Sequence, residues 1–374
     1  MKAAAIKRAP TNTNIPDELI FEVLTYLPVK SLVRFKCVSK SWHILISSPQ
    51  FIKNHLAKSR ENDEYAHHRV IFHTLEPNLK QCCINSVLHA PLDIESIDVD
   101  DPMRDHYYKG FVSSCNGLFC IVVDVEQIFL WNPALRKSRK LPKLPIMGGK
   151  TKNLRKKRRR MVYGYGYDEL NDDYKVVYYR NCGWDSRVHV YSLKRNSWRR
   201  IGDFNKGVPS DQWGHFSNGN LHWIVNRDKI VSFDMAKETF GEVQLPKFEE
   251  ETTDWSLEVV SGTLALYQYF RRYRVDVWIM KEYGVGDSWT RVVFISHSND
   301  INGLERYLFC LPVFHSKNGE ILFKSACGGG IALYSPRTNS LTYPKIRNLT
   351  ETPWGLDMYV ESLVLPDPNR NTSE

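Results

Sequence analysis

The residues of this chain best suited to chemistry are a lysine behind a glycine pair, several histidines, eight cysteines and one dense run of cations. Gly149-Lys150-Thr151 ends like a loop that cradles phosphate with backbone N–H groups and a lysine. That loop needs a glycine five residues ahead of Gly149, and the residue there is Leu144. Gly164-Tyr165-Gly166 lacks the third glycine of a dinucleotide turn, and no Gly-x-Ser-x-Gly elbow occurs to expose a serine nucleophile. His67-His68, His73 and His89 do not fall at metal-ligand spacing. His222, in Leu221-His222-Trp223, reads as a hydrogen-bonded imidazole within a strand. The eight cysteines include no Cys-x-x-Cys, and Met1 to Pro10 is basic without an apolar core. We therefore expect reduced, mostly buried thiols and no secretory leader. No catalytic residue, metal or cofactor is expected.

The cations are more informative. The formal net charge is +9, and 13 Lys or Arg residues with no acid lie between Gln127 and Tyr167, so the rest of the chain carries −4. This is a mildly acidic protein with one basic patch, densest from Lys150 to Arg160. Lys156, Lys157, Arg158, Arg159 and Arg160 are candidates for a nuclear import signal or a site for an acidic partner. The plainer reading is a solvated loop, since like charges adjacent in sequence avoid packing. No aromatic interrupts the run, which disfavours nucleic-acid binding by stacking. The longest apolar window, Gly110 to Val123, is broken by Ser113, Ser114 and Asn116 and is short of the 18 or so residues that cross a bilayer. Cytoplasm and/or nucleus is the expected compartment, with no membrane partner.

Two kinds of element must position whatever this chain does. From Ile15 to Leu56, short helices are written with their own start signals. Asp17 and Glu18 follow Pro16, and Leu19, Ile20, Val23, Leu24 and Leu27 recur at helical spacing until Pro28. Ser31, Ser39 and Ser48-Pro49 are expected to cap three more helices. About 42 residues bury too little to stand alone, so the surplus apolar surface needs a cover from the rest of the chain or from another protein.

Beyond residue 60, strands separated by Gly, Asn, Asp and Pro turns take over. Apolar-aromatic triplets recur at Trp131-Asn132-Pro133, Tyr191-Ser192-Leu193, Phe233-Asp234-Met235, Trp278-Ile279-Met280 and Tyr334-Ser335-Pro336. Each is followed by a second apolar position, at Leu141, Trp198, Phe240, Trp289 and Leu341, and some are preceded by Gly-x-Leu. Each unit reads as three strands. Five units plus a degenerate one near Val70 to Leu88 predict a kelch-like β-propeller, with a large β-sandwich as the alternative. The apolar strand Tyr359 to Leu365 is expected to pair with an early unit and close the ring.

The helical stretch resembles the F-box, through Ile15, Pro16, Leu19, Val23, Leu27, Pro28, Leu32, Phe35, Val38 and Trp42. That resemblance implies docking on the SKP-family adaptor of a ubiquitin ligase and, through it, on cullin and RING subunits. The ten residues are the candidate docking face or its immediate support. Residues 110 to 365 are similar to the plant F-box-associated domain. The phrases that carry this include Ser114-Cys115-Asn116-Gly117-Leu118, Leu130-Trp131-Asn132-Pro133, Gly164-Tyr165-Gly166-Tyr167-Asp168, Asp172-Asp173-Tyr174-Lys175 and Leu221-His222-Trp223.

The expected architecture is thus α+β and multidomain, a three- to four-helix F-box followed by an all-β domain. The expected boundaries are a disordered 1–14, the F-box at 15–60, a connector with a first degenerate unit at 61–109, the β-domain at 110–365 with a basic insertion at 148–161, and a disordered 366–374. The resemblance implies a non-catalytic substrate receptor that brings a protein to the ubiquitin-transfer machinery. A carbohydrate-binding or carbohydrate-cleaving propeller, and a nuclear nucleic-acid binder using the basic loop, are the alternatives. Trp184, Arg271, Arg272 and Tyr273 are the substrate-binding candidates, because aromatics and Arg clustered in loops favour partner contact.

Overall fold

The structure is a computed structural model that describes residues 15–74, 79–106, 109–123, 127–145, 161–180, 186–248, 255–270, 274–296, 310–325, 331–338, 340–349, 353 and 355–367. Four helices come first: α1 (Asp17–Thr25), α2 (Val29–Phe35), α3 (Lys40–Ser47) and α4 (Pro49–Glu61). Ser39 and Ser48 cap α3 and α4 as expected, accepting from the N–H groups of Trp42 at 3.1 Å and Phe51 at 3.2 Å. Ser31 does not cap α2. That helix opens at Val29 with Pro28 at its N-cap, so the proline that ends α1 also starts its successor.

Six four-stranded antiparallel sheets follow. Blade two runs Lys109–Cys115, Leu118–Val123, Gln127–Asn132, Lys137–Lys140. Blade three runs Met161–Asp168, Asp173–Arg180, Arg187–Ser192, Ser197–Asp203. Blade four runs His215–Ser217, Asn220–Val225, Lys229–Asp234, Thr239–Val243. Blade five runs Trp255–Val260, Thr263–Phe270, Arg274–Met280, Trp289–Ser296. Blade six runs Cys310–His315, Ile321–Ser325, Ile331–Ser335, Ser340–Thr342. Blade one is built from both ends of the domain: Gly355–Val360 pairs with His68–His73, which pairs with Leu79–Cys83 and then Ile97–Val99. The first strands of neighbouring blades touch in sequence around the ring, and Gly355–Val360 fills the remaining gap between blades six and two. The fold is a six-bladed β-propeller.

The repeat units therefore have four strands, not three. The strand missed in each is the first, which lines the axis. In blade three, crowding there selects glycine over an apolar signature: a Cβ on Gly164 or Gly166 would lie 2.2–2.8 Å from Leu221, Trp223 or Phe216 of blade four. The closing strand is Gly355–Val360 rather than Tyr359 to Leu365, and the boundary at 109/110 falls inside the ring, within the first strand of blade two. The propeller starts at His68, because the degenerate unit supplies the middle of blade one. Asp367 ion-pairs with Arg139 at 2.8 Å, so the ordered chain continues into the expected tail.

A second latch joins blades six and one at the periphery. Ile346–Arg347 pairs in parallel with Ile94–Glu95, beyond α5 (Ile84–His89). Trp131, Trp223 and Trp289 are buried in blade cores, and Asp168 holds the turn at Asn171, whose N–H it accepts at 3.0 Å.

Candidate functional site

The helices bury one face and leave another open. Leu24, Val29, Leu32, Ile46 and Phe51 form their core, and Leu363, Ala134 and Leu135 from the propeller complete it. Of the two covers expected, the rest of the chain thus supplies one, on this face. Outside it, Ile15, Leu19 and Val23 are 64, 56 and 61% exposed at i, i+4, i+8 spacing, and Val38 is 61% exposed. Pro16 and Pro28 are also exposed, while Leu27, Phe35 and Trp42 are half-buried, Phe35 and Trp42 stacked edge to face. Leu32 is fully buried, so it supports the face from beneath and is not part of it. Tyr26, Val33 and Ile44 are exposed apolar residues that spacing alone did not single out.

The helices rest on one face of the propeller. Arg60 bonds Asn116 and Lys53 pairs with Asp172 at 3.1 Å, both acceptors lying in turns between first and second strands of blades. Asp63 pairs with Lys317 in the corresponding turn of blade six. In four antiparallel strands, the turns after the first and third lie at one end. The turn after the second, and the start of the first strand, lie at the other. Arg180, Arg187, Phe270, Arg274 and Met161 are thus at the rim opposite the helices. Tyr179, Arg180 and Tyr269, which precede the candidate substrate-binding residues in sequence, are buried strand residues. Trp184, Arg271, Arg272 and Tyr273, and the cations Lys156, Lys157, Arg158, Arg159 and Arg160, lie outside the described residues.

His55 is fully buried, with Nε2 2.9 Å from the Leu27 carbonyl oxygen, and its ring meets His67 edge to face. Burial pushes His67 and His68 down to about 4, helped for both by the Arg69 charge. His222 is a buried strand histidine bonded to the His215 carbonyl and the Tyr283 hydroxyl, as its sequence context suggests. Burial pushes the Cys82 and Cys115 thiols up to about 12, which removes them as nucleophiles.

A groove of about 600 Å³ between blades three and four holds Asp173 and Glu238 among cations. Asp173 accepts from the Lys194 N–H at 2.9 Å, and Glu238 pairs with Lys175 at 2.9 Å and with Arg199. These carboxylates are engaged within the fold. Among the described residues no group of three His, Cys, Asp or Glu could hold a metal, and no helix is long and apolar enough to cross a membrane.

Residues 66–360 match the family described as F-box associated beta propeller domain, and residues 13–54 match the F-box domain. An F-box/kelch-repeat protein of Arabidopsis thaliana is 29% identical over 95% of this chain and 96% of its own length. The F-box protein CPR1 of the same organism is 26% identical over 94% and 89%. A chain of a nidogen/laminin complex, at 11% identity, aligns over 79% of this chain and 99% of its own with a TM-score of 0.46.

Proposed function

This chain belongs to the F-box proteins that carry an F-box associated beta propeller domain, and from that membership we propose that it is a non-catalytic substrate receptor of an SCF-type ubiquitin ligase. Its helices dock the SKP-family adaptor, which links to cullin and RING subunits. Its propeller binds a protein to be ubiquitinated. The observation that carries this reading is the exposed stripe Ile15, Leu19 and Val23 on helices whose other face is sealed. An unpaired apolar stripe on an ordered module marks a protein interface.

The chain then acts by proximity, raising the concentration of substrate lysines near the charged thioester. The substrate engages the rim away from the helices, with Trp184, Arg271, Arg272 and Tyr273 as its anchors. That arrangement leaves both faces free to be occupied together. Lys156, Lys157, Arg158, Arg159 and Arg160 direct nuclear import.

The test is co-purification of the SKP-family adaptor and cullin with the tagged chain and with a Leu19→Glu/Val23→Glu variant. Capture by the parent chain and at least tenfold less by the variant is expected, since central apolar anchors at interfaces carry about 2 kcal/mol or more each. Equal capture by both chains would remove the docking assignment.

A further inference from the structure

We propose that Glu361–Asp367 is a joint that locks the docking helices to the propeller, and so fixes the position of a captured protein relative to the ligase scaffold. The second half of this rests on the function proposed above; the first half stands on geometry alone.

By sequence, the helices meet the propeller only through the six residues 62–67, between α4 and His68. Such a short link restrains distance but not orientation, and the pairs Lys53–Asp172 and Asp63–Lys317 that flank it are exposed and contribute little. The segment after the ring-closing strand supplies what the link lacks. Leu363 leaves the propeller and enters the helix core, where it is 2% exposed. Its two neighbours are pinned from below by one side chain. The Asn132 amide Nδ2 donates to the Ser362 carbonyl at 3.0 Å and to the Val364 carbonyl at 2.8 Å. Its Oδ1 accepts from the Leu135 N–H at 3.2 Å, and Leu135 itself packs under the helices. Asn132 is fully buried, so each of these bonds is made away from water, where losing a partner is costly.

The flanks are held independently. Arg69 grips the Glu361 carboxylate through two bonds, at 3.1 and 3.2 Å, and Arg139 pairs with Asp367 at 2.8 Å. Ser362 donates to the Asn116 carbonyl at 2.7 Å, in the turn whose Asn116 side chain accepts from Arg60 of α4. Gly117 makes that approach possible: at φ +80° it has no Cβ, and one placed there would lie 2.4 Å from the Ser362 hydroxyl. None of this is needed to close the ring, because pairing of Gly355–Val360 with His68–His73 already does so. The joint serves the relation between the two units.

The decisive variant is Asn132→Asp, which places a carboxylate against two carbonyls and leaves the apolar contacts of Leu363 in place. Small-angle scattering and thermal melting of the full chain, alone and bound to the adaptor, are the readouts. We expect unchanged β-sheet circular dichroism and adaptor capture, a larger radius of gyration, and a single melting transition that splits in two with the helices lost first. Leu363→Asp should behave alike, and Leu363→Met should restore the parent shape. Parent-like scattering and melting from both Asn132→Asp and Leu363→Asp overturn the joint. If Leu363→Asp unfolds the helices, Asn132→Asp decides alone. Failure of the parent chain to bind adaptor defeats the docking reading while leaving the scattering of the free chain to judge the joint.

Discussion

Single residues here are chosen by what presses on them. Gly166 has no unusual φ, yet a Cβ there would meet the Phe216 ring at 2.2 Å. Gly166→Ala should therefore cost about 1–3 kcal/mol through overpacking, read as a lowered midpoint in urea. The same crowding explains why Gly164-Tyr165-Gly166 resembles a broken nucleotide motif without serving one. The histidines at the junction are held neutral by burial. In the folded chain His67 and His68 titrate at about 4, whereas an unfolded histidine titrates at about 6.5. Between those values the unfolded chain binds protons that the folded chain refuses. Their contribution to stability is thus complete above pH ~6.5 and is lost as pH falls toward ~4. The melting temperature should drop across that window, and a His67→Gln/His68→Gln variant should show a shallower drop. An identical slope in both chains would place the acid sensitivity elsewhere.

Elements show which parts of the design were legible in the sequence. The helix starts at Ser39 and Ser48 were readable because a cap is a local device, complete within four residues. The triplets at Trp131, Tyr191, Phe233, Trp278 and Tyr334 were readable because each third strand of blades two to six repeats one packing task. The first strands were not, since each meets different neighbours at the axis. Nor was the role of Leu363 or Asn132, because Leu363 packs against helices, and Asn132 donates to carbonyls, more than 200 residues away in sequence. Periodicity also could not separate Leu19 from Leu32, which share a spacing pattern but not an environment. The separation is testable. Leu32→Ala should cost about 2–5 kcal/mol of stability by leaving a cavity. Leu19→Glu/Val23→Glu should stay within about 0.5 kcal/mol while losing adaptor binding. Denaturant melts paired with adaptor capture distinguish the two outcomes.

At the scale of the whole molecule, ring closure makes the blades depend on one another. Tyr359 lies in the closing strand, bonds Gln81 within blade one at 2.6 Å and meets Phe119 of blade two edge to face. Tyr359→Ala should lower one shared transition by about 3–5 kcal/mol without releasing a single blade. A calorimetric trace with a separate low-temperature peak would contradict this. The two-faced layout predicts that Trp184, Arg271, Arg272 and Tyr273 changed together to alanine lose substrate ubiquitination and keep adaptor binding. Replacing Lys156, Lys157, Arg158, Arg159 and Arg160 with glutamine should leave stability within about 0.5 kcal/mol while lowering nuclear signal from a tagged chain. An unaltered distribution would reduce that run to a solvated loop.

The pairing of His68–His73 with Gly355–Val360 also imposes a schedule on synthesis. Chains leave the ribosome from the N-terminus at about 5–20 residues per second. The second strand of blade one therefore emerges roughly 15–60 s before the strand that must lie beside it, and α1 to α4 wait as long for Leu363. Throughout that interval the core of the helices lacks the side chain that completes it and stays open on that side. A nascent chain thus offers two sticky surfaces where the finished protein offers one. Holding factors that bind exposed apolar segments should be found on this chain during translation, and should leave once residue 363 has emerged.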